Sequence, residues 1–95
     1  MACAVLLLPS AGLASAQLAL DRGCLNCHGD PPRRGAASLD TIARRLAPYR
    51  GQAEMVDRLA ARLRDGTLGG RVVAHQRLGA EEAQRLMQWL MDGAP

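Results

Sequence analysis

Cys24-Leu25-Asn26-Cys27-His28 is the stretch that constrains this chain most. Two cysteines three positions apart lie on one side of a helical turn, and a histidine follows the second of them directly. C-x-x-C-H is the attachment signature of a c-type haem. In that chemistry both thiols add to vinyl groups along one porphyrin edge, and the imidazole binds the iron. The motif therefore predicts one haem c, attached covalently through Cys24 and Cys27, with His28 as an axial ligand.

Two other chemistries use a C-x-x-C pair. A structural zinc site needs four ligands, usually from two separated pairs, and the remaining candidates are only Cys3 and His75. A thioredoxin-like pair lies beside a βαβ unit, and no part of this chain reads as a strand. Haem attachment is the interpretation that the motif favours.

Residues 1–16 are predicted to be an export signal. An apolar run over residues 2–8 ends at Pro9, and Ala14-Ser15-Ala16 is typical of a cleavage site before Gln17. Residues 1–17 carry no Lys or Arg, so the segment is a truncated signal, a degenerate one, or an uncleaved tail. Export is favoured, because covalent haem attachment in bacteria takes place outside the cytoplasm. We expect a haem domain over residues 17–95, a periplasmic or otherwise exported location, and no transmembrane segment in the mature chain.

The composition limits both the core and the partners. The 95 residues carry a net charge of +3, and every basic residue is arginine. There is no long basic run with interleaved aromatics, so nucleic-acid binding is not indicated. The chain has no Phe and only Tyr49 and Trp89 as aromatics, so its core alone is marginal at this length. We expect a bound porphyrin to supply apolar surface, and the apoprotein to be largely unfolded.

Apolar residues recur at helical spacing, which predicts an all-α fold of about four short helices. These helices are expected at residues 17–26, 39–46, 51–65 and 79–93. Ser38 is suited to the N-cap of the second helix, and Gly66 to the end of the third. Residues 29–38 and 67–78 read as loops.

With these helices around its haem motif, the chain resembles the class I cytochrome c family over residues 17–93. The match is highly specific at residues 24–29 and weaker at 39–49, 62–66 and 81–90. The resemblance implies a cytochrome c-like fold wrapped around one covalently attached haem, with Trp89 where the first and last helices cross. It also implies a one-electron carrier that meets redox partner proteins, not an enzyme acting through its side chains.

The second iron ligand departs from the family pattern. The family takes a methionine from the loop before the last helix, and Val72 or Val73 stands at about that place here. His75 is the nearest strong ligand, and a bis-histidine iron with His28 and His75 is one interpretation. In a second, His75 faces solvent and the iron is five-coordinate. In a third, the ligand is a methionine, although the helical spacing of the candidates favours core packing; these are Met55, Met87 and Met91.

Two other functions remain as alternatives to a free electron carrier. A five-coordinate iron would suit a protein that binds or senses a small ligand. The chain could also be the haem subunit of a dehydrogenase or oxidase complex. Among the arginines, Arg33 and Arg34 could steer docking to an acidic partner. Arg71 or Tyr49 could hold a haem propionate.

Overall fold

The computed structural model describes residues 11–95, and that part of the chain is mostly helical with no strand. The predicted all-α class is therefore confirmed. The helices are α1 (Ala11–Asp21), α2 (Leu25–His28), α3 (Leu39–Leu46), α4 (Ala53–Asp65), α5 (Val73–Gln76) and α6 (Ala80–Met91), with a 3-10 turn at Ala47–Tyr49. Four of these helices are two turns or longer, in line with the predicted number, and α2 and α5 are single turns.

The first helix differs from the expected one at both ends. It begins before Gln17 and stops at Asp21 instead of continuing to Asn26. Gly23 causes the stop, because its φ of +73° is left-handed and glycine adopts that conformation at helix ends without a steric penalty. The predicted leader falls partly outside the described residues, and its expected cleavage point after Ala16 lies within α1. Ser15 is buried there.

The ends of the later helices follow the predicted signals closely. Ser38 caps α3, with its hydroxyl accepting from the Thr41 backbone N–H at 3.1 Å. Helix α4 begins two residues later than expected, at Ala53, after the left-handed Gly51. It ends at Gly66, whose φ of +87° closes the helix as predicted.

The core lies where α4 and α6 pack together, with α1 and α3 on other sides of α6. Its buried apolar residues are Ala19, Val56, Leu59, Ala60, Leu78, Ala83, Leu86, Met87, Trp89, Leu90 and Met91. Met87 and Met91 are thus core residues, as their spacing predicts, and Met55 packs against the same cluster. Trp89 shares this core with Ala19 of α1.

The expected loop over residues 67–78 contains the unpredicted helix α5. Its run Val72-Val73-Ala74 is too short to give a helical period, so the sequence carries no clear signal for it. This single turn carries His75.

Candidate metal centre

Two imidazole rings from turns far apart in the chain lie close together. His28 ends α2 and His75 lies in α5, and their ring centroids are 6.1 Å apart with the ring planes inclined by 16°. They are the only two histidines in the whole sequence. Tertiary structure therefore brings together both imidazoles that were singled out from the sequence.

The orientation of His28 is fixed by the backbone of the following loop. Its Nδ1 lies 2.6 Å from the carbonyl oxygen of Ala37. Because a carbonyl only accepts, Nδ1 carries the proton and donates, which leaves Nε2 with a free lone pair. This is how proteins commonly orient a metal-binding histidine.

The loop that supplies this carbonyl is itself held at both ends. Near its start, the Arg33 N–H donates to the Cys27 carbonyl at 2.8 Å. At its end, Ser38 caps α3 immediately after Ala37. The sequence could not reveal the role of Ala37, because every residue has a carbonyl and only the fold decides which one meets an imidazole.

His75 is half-buried, and its Nδ1 has no hydrogen-bond partner within residues 11–95 although it is shielded from solvent. Burial lowers the pKa of His75, and the neighbouring His28 lowers it further. A lowered pKa favours the neutral ring, which is the form that binds metals. A buried, unpaired nitrogen is costly in a folded protein, so His75 gains from a partner that accepts its lone pair.

Both thiols of the motif are free and half-buried. The His28 N–H donates to the Cys24 carbonyl at 2.9 Å, so Cys24, Cys27 and His28 share one helical turn as the motif predicts. Cys24 packs against the core, and burial raises its pKa. No group of three or more His, Cys, Asp or Glu side chains within the described range is arranged to hold a metal ion, so a zinc site of the usual four ligands is not formed there.

An open cleft of about 590 Å³ lies beside His28, between the α2 turn and α3. It is lined by Leu25, His28, Gly29, Asp30, Pro32, Ala37, Ser38, Leu39, Asp40, Thr41, Arg44 and Arg45. Arg44 and Arg45 contribute positive charge to its lining and Asp30 and Asp40 contribute negative charge, and no sequence motif marks either arginine as a site residue. Arg44 also pairs with Asp40 at 3.2 Å.

The four residues expected to act through charge or hydrogen bonding lie elsewhere. Arg33 and Arg34 are exposed on the loop after the motif. Tyr49 is exposed in the 3-10 turn, and Arg71 is exposed with its side-chain stem beside Gly66. Neither Tyr49 nor Arg71 is among the residues that line the cleft.

Exposed apolar side chains flank the two histidines. Leu25 begins α2 and is 47% exposed, while Val72 and Val73 precede His75 and are 38% and 60% exposed. An exposed apolar side chain gains free energy when a ligand or partner covers it.

Comparison with known proteins gives no relative: no family model, no curated protein and no solved structure matches this chain. Within residues 11–95, none of the helices combines the length and apolar content needed to cross a bilayer.

Proposed function

We propose that this chain is a small c-type cytochrome, a one-electron carrier with one haem attached through Cys24 and Cys27 and bound by His28 and His75. The observation that carries the proposal is the facing pair of imidazoles, one of which belongs to the C-x-x-C-H motif.

The two histidines would hold the iron, since neutral imidazole is the commonest metal ligand among side chains. The centroids of His28 and His75 are 6.1 Å apart. Both rings also have the required chemistry, since Nε2 of His28 is left free by the bond to Ala37 and His75 has an unpaired buried nitrogen.

The surrounding surface fits a large apolar cofactor. Leu25, Val72 and Val73 lie exposed beside the histidines, and burying such side chains is favourable at about 25 cal/mol per Å² of apolar surface. The cleft beside His28 carries Arg45, whose guanidinium group is suited to a carboxylate such as a haem propionate, whereas Arg44 is paired with Asp40 there.

Each residue then has a defined task. Cys24 and Cys27 would fix the cofactor to one helical turn. The Ala37 carbonyl orients His28, and α5 would supply His75 as the second histidine. The bound haem supplies the Fe(III)/Fe(II) couple. A second imidazole in place of a thioether favours the ferric form, so we expect a lower reduction potential than that of a Met/His cytochrome.

The finer fold assignment also belongs to this proposal. A helix before the haem motif packs against the last helix, which carries a buried tryptophan, and this arrangement is consistent with a cytochrome c-like fold. On this proposal the protein is exported to the periplasm or beyond and meets redox partner proteins there, and it is not itself an enzyme.

The decisive experiment is expression in a host competent in cytochrome maturation, followed by mass measurement and spectroscopy. We expect one covalent haem and a low-spin ferric spectrum without a thioether-to-iron band. His75→Ala should convert the ferric iron to high spin, whereas the control Gln76→Ala, an exposed neighbour in α5, should leave the spectrum unchanged. A colourless chain with the mass of bare polypeptide would refute the proposal.

Two further outcomes would favour the alternatives. A high-spin wild-type iron that binds carbon monoxide or cyanide readily would indicate a five-coordinate protein that binds small ligands. Stable co-purification with a dehydrogenase or oxidase would indicate a haem subunit instead of a free carrier.

A further inference from the structure

The two histidines lie on single turns that have little structure of their own. Helices α2 and α5 each comprise four residues, and helices this short are not stable without outside support. How firmly His75 stays opposite His28 therefore depends on the contacts that join the two parts of the chain.

One ion pair makes such a connection. Within residues 11–95, the side-chain hydrogen bonds that join residues 11–28 to residues 64–82 are those between Arg22 and Glu82. Arg22 Nε donates to Glu82 Oε2 at 2.9 Å, and Arg22 Nη2 donates to the same oxygen. Arg22 lies two residues before Cys24, so the bond ends next to the haem motif.

Glu82 continues the connection toward His75. Its other oxygen, Oε1, accepts the Gly79 backbone N–H at 2.9 Å, which caps α6. The preceding residue, Leu78, is buried, and its carbonyl accepts from Arg64 Nε at 2.9 Å. One carboxylate thus ties the end of the His75 segment to the turn that leads into the motif.

We propose that Arg22 and Glu82 form a positioning clasp that keeps His75 opposite His28 and so sets how easily an external ligand replaces His75. The inference rests on the proposed function, since replacement is measured at the iron. Neither side chain touches the histidines, so both act as positioning residues.

Arg22→Gln and Glu82→Gln test the clasp with little risk to folding. Arg22 and Glu82 side chains are 48% and 26% exposed, and a glutamine at position 82 can still accept the Gly79 N–H. Glu81→Gln is the matched control, because it removes the same charge from the neighbouring, exposed carboxylate in the first turn of α6.

The measurement is the affinity of free imidazole for the ferric protein at pH 7, followed by absorption. Loss of a partly exposed ion pair should make imidazole bind about two- to fivefold more tightly. The double variant should equal either single variant, because both remove one interaction. Arg22→Lys keeps the charge and should lie between wild type and Arg22→Gln, and Glu81→Gln should match wild type.

Wild-type affinity in both Arg22→Gln and Glu82→Gln would overturn the clasp, and so would an equal change in Glu81→Gln, which would indicate a general charge effect. These results leave the proposed function intact, provided that the wild-type protein holds a covalent low-spin haem. A chain without haem, or with a high-spin iron in the wild type, would overturn the proposed ligation and the clasp together.

Discussion

At the scale of single residues, the site combines side chains that carry a sequence signal with backbone atoms that carry none. Cys24, Cys27 and His28 are marked by their spacing. His75 was one of three ligand interpretations, and the fold brings it within 6.1 Å of His28 between ring centroids. The Ala37 carbonyl and the side chain of Arg22 gain their roles only from what lies opposite them.

Gly66 ends α4, and its substitution tests how closely the chain that leads to His75 packs against the end of that helix. Its φ is +87°, and an added Cβ would lie 2.6 Å from Arg71 Cγ. Gly66→Ala combines left-handed strain with a steric clash, so we expect the free energy of unfolding to fall by about 2–4 kcal/mol. The measurement is urea denaturation.

Gly70→Ala is the control for that substitution. Gly70 has a similar φ of +88°, but a Cβ there meets nothing within 4 Å. It should show the conformational cost alone, about 1–2 kcal/mol. Equal destabilisation by the two substitutions would show that the contact with Arg71 has no energetic weight.

At the scale of elements, the long helices are set by local signals and the short ones by their surroundings. Ser38 and Gly66 mark ends of α3 and α4 that the structure reproduces. The turns α2 and α5 have no caps of this kind. The elements that present the two imidazoles are therefore the ones that depend most on tertiary contacts.

Ser38→Ala tests the element-scale role of the α3 cap. The Ser38 hydroxyl accepts the Thr41 N–H at 3.1 Å and donates to Thr41 Oγ1 at 2.9 Å. Its loss should lower the free energy of unfolding by about 1 kcal/mol. Asp40→Ala, in the same first turn but exposed, should cost less than about 0.5 kcal/mol, and the opposite order would contradict the assigned cap. Both values come from thermal unfolding.

At the scale of the whole molecule, contacts between distant segments join the haem motif to the last helix. Helices α1 and α6 pack together, and the Arg22–Glu82 pair closes the same junction at the surface. The core they share contains no Phe and depends on small and flexible side chains, with Trp89 as its largest member.

The acid dependence of stability should report this junction. The Gly79 N–H and then Arg22 hold the pKa of Glu82 below its ordinary value of 4.5. A carboxylate with a lowered pKa in the folded state stabilises the protein above its unfolded pKa. The stability difference between wild type and Glu82→Gln should be constant above about pH 5 and shrink as the pH falls through 4.5 and below. Chemical denaturation at several pH values measures it, and a difference that grows on acidification would show the opposite linkage.

The apoprotein gives a second test at this scale. The core lacks large aromatics except Trp89, and Leu25 and Val73 are exposed. We expect the haem-free Cys24→Ala/Cys27→Ala chain to show much less helix by far-ultraviolet circular dichroism and no cooperative melting. An apoprotein as helical and as cooperative as the haem-bound protein would show that the polypeptide core suffices.

The sequence alone determined the all-α class, the caps at Ser38 and Gly66, and the turn that holds Cys24, Cys27 and His28, because each depends on residues a few positions apart. The single turn α5, the meeting of His75 with His28, the Ala37 acceptor and the Arg22–Glu82 pair were decided by tertiary structure. Most of these pair groups far apart in the chain, and their proximity follows from how α1, α4 and α6 pack around one core, which no local pattern encodes.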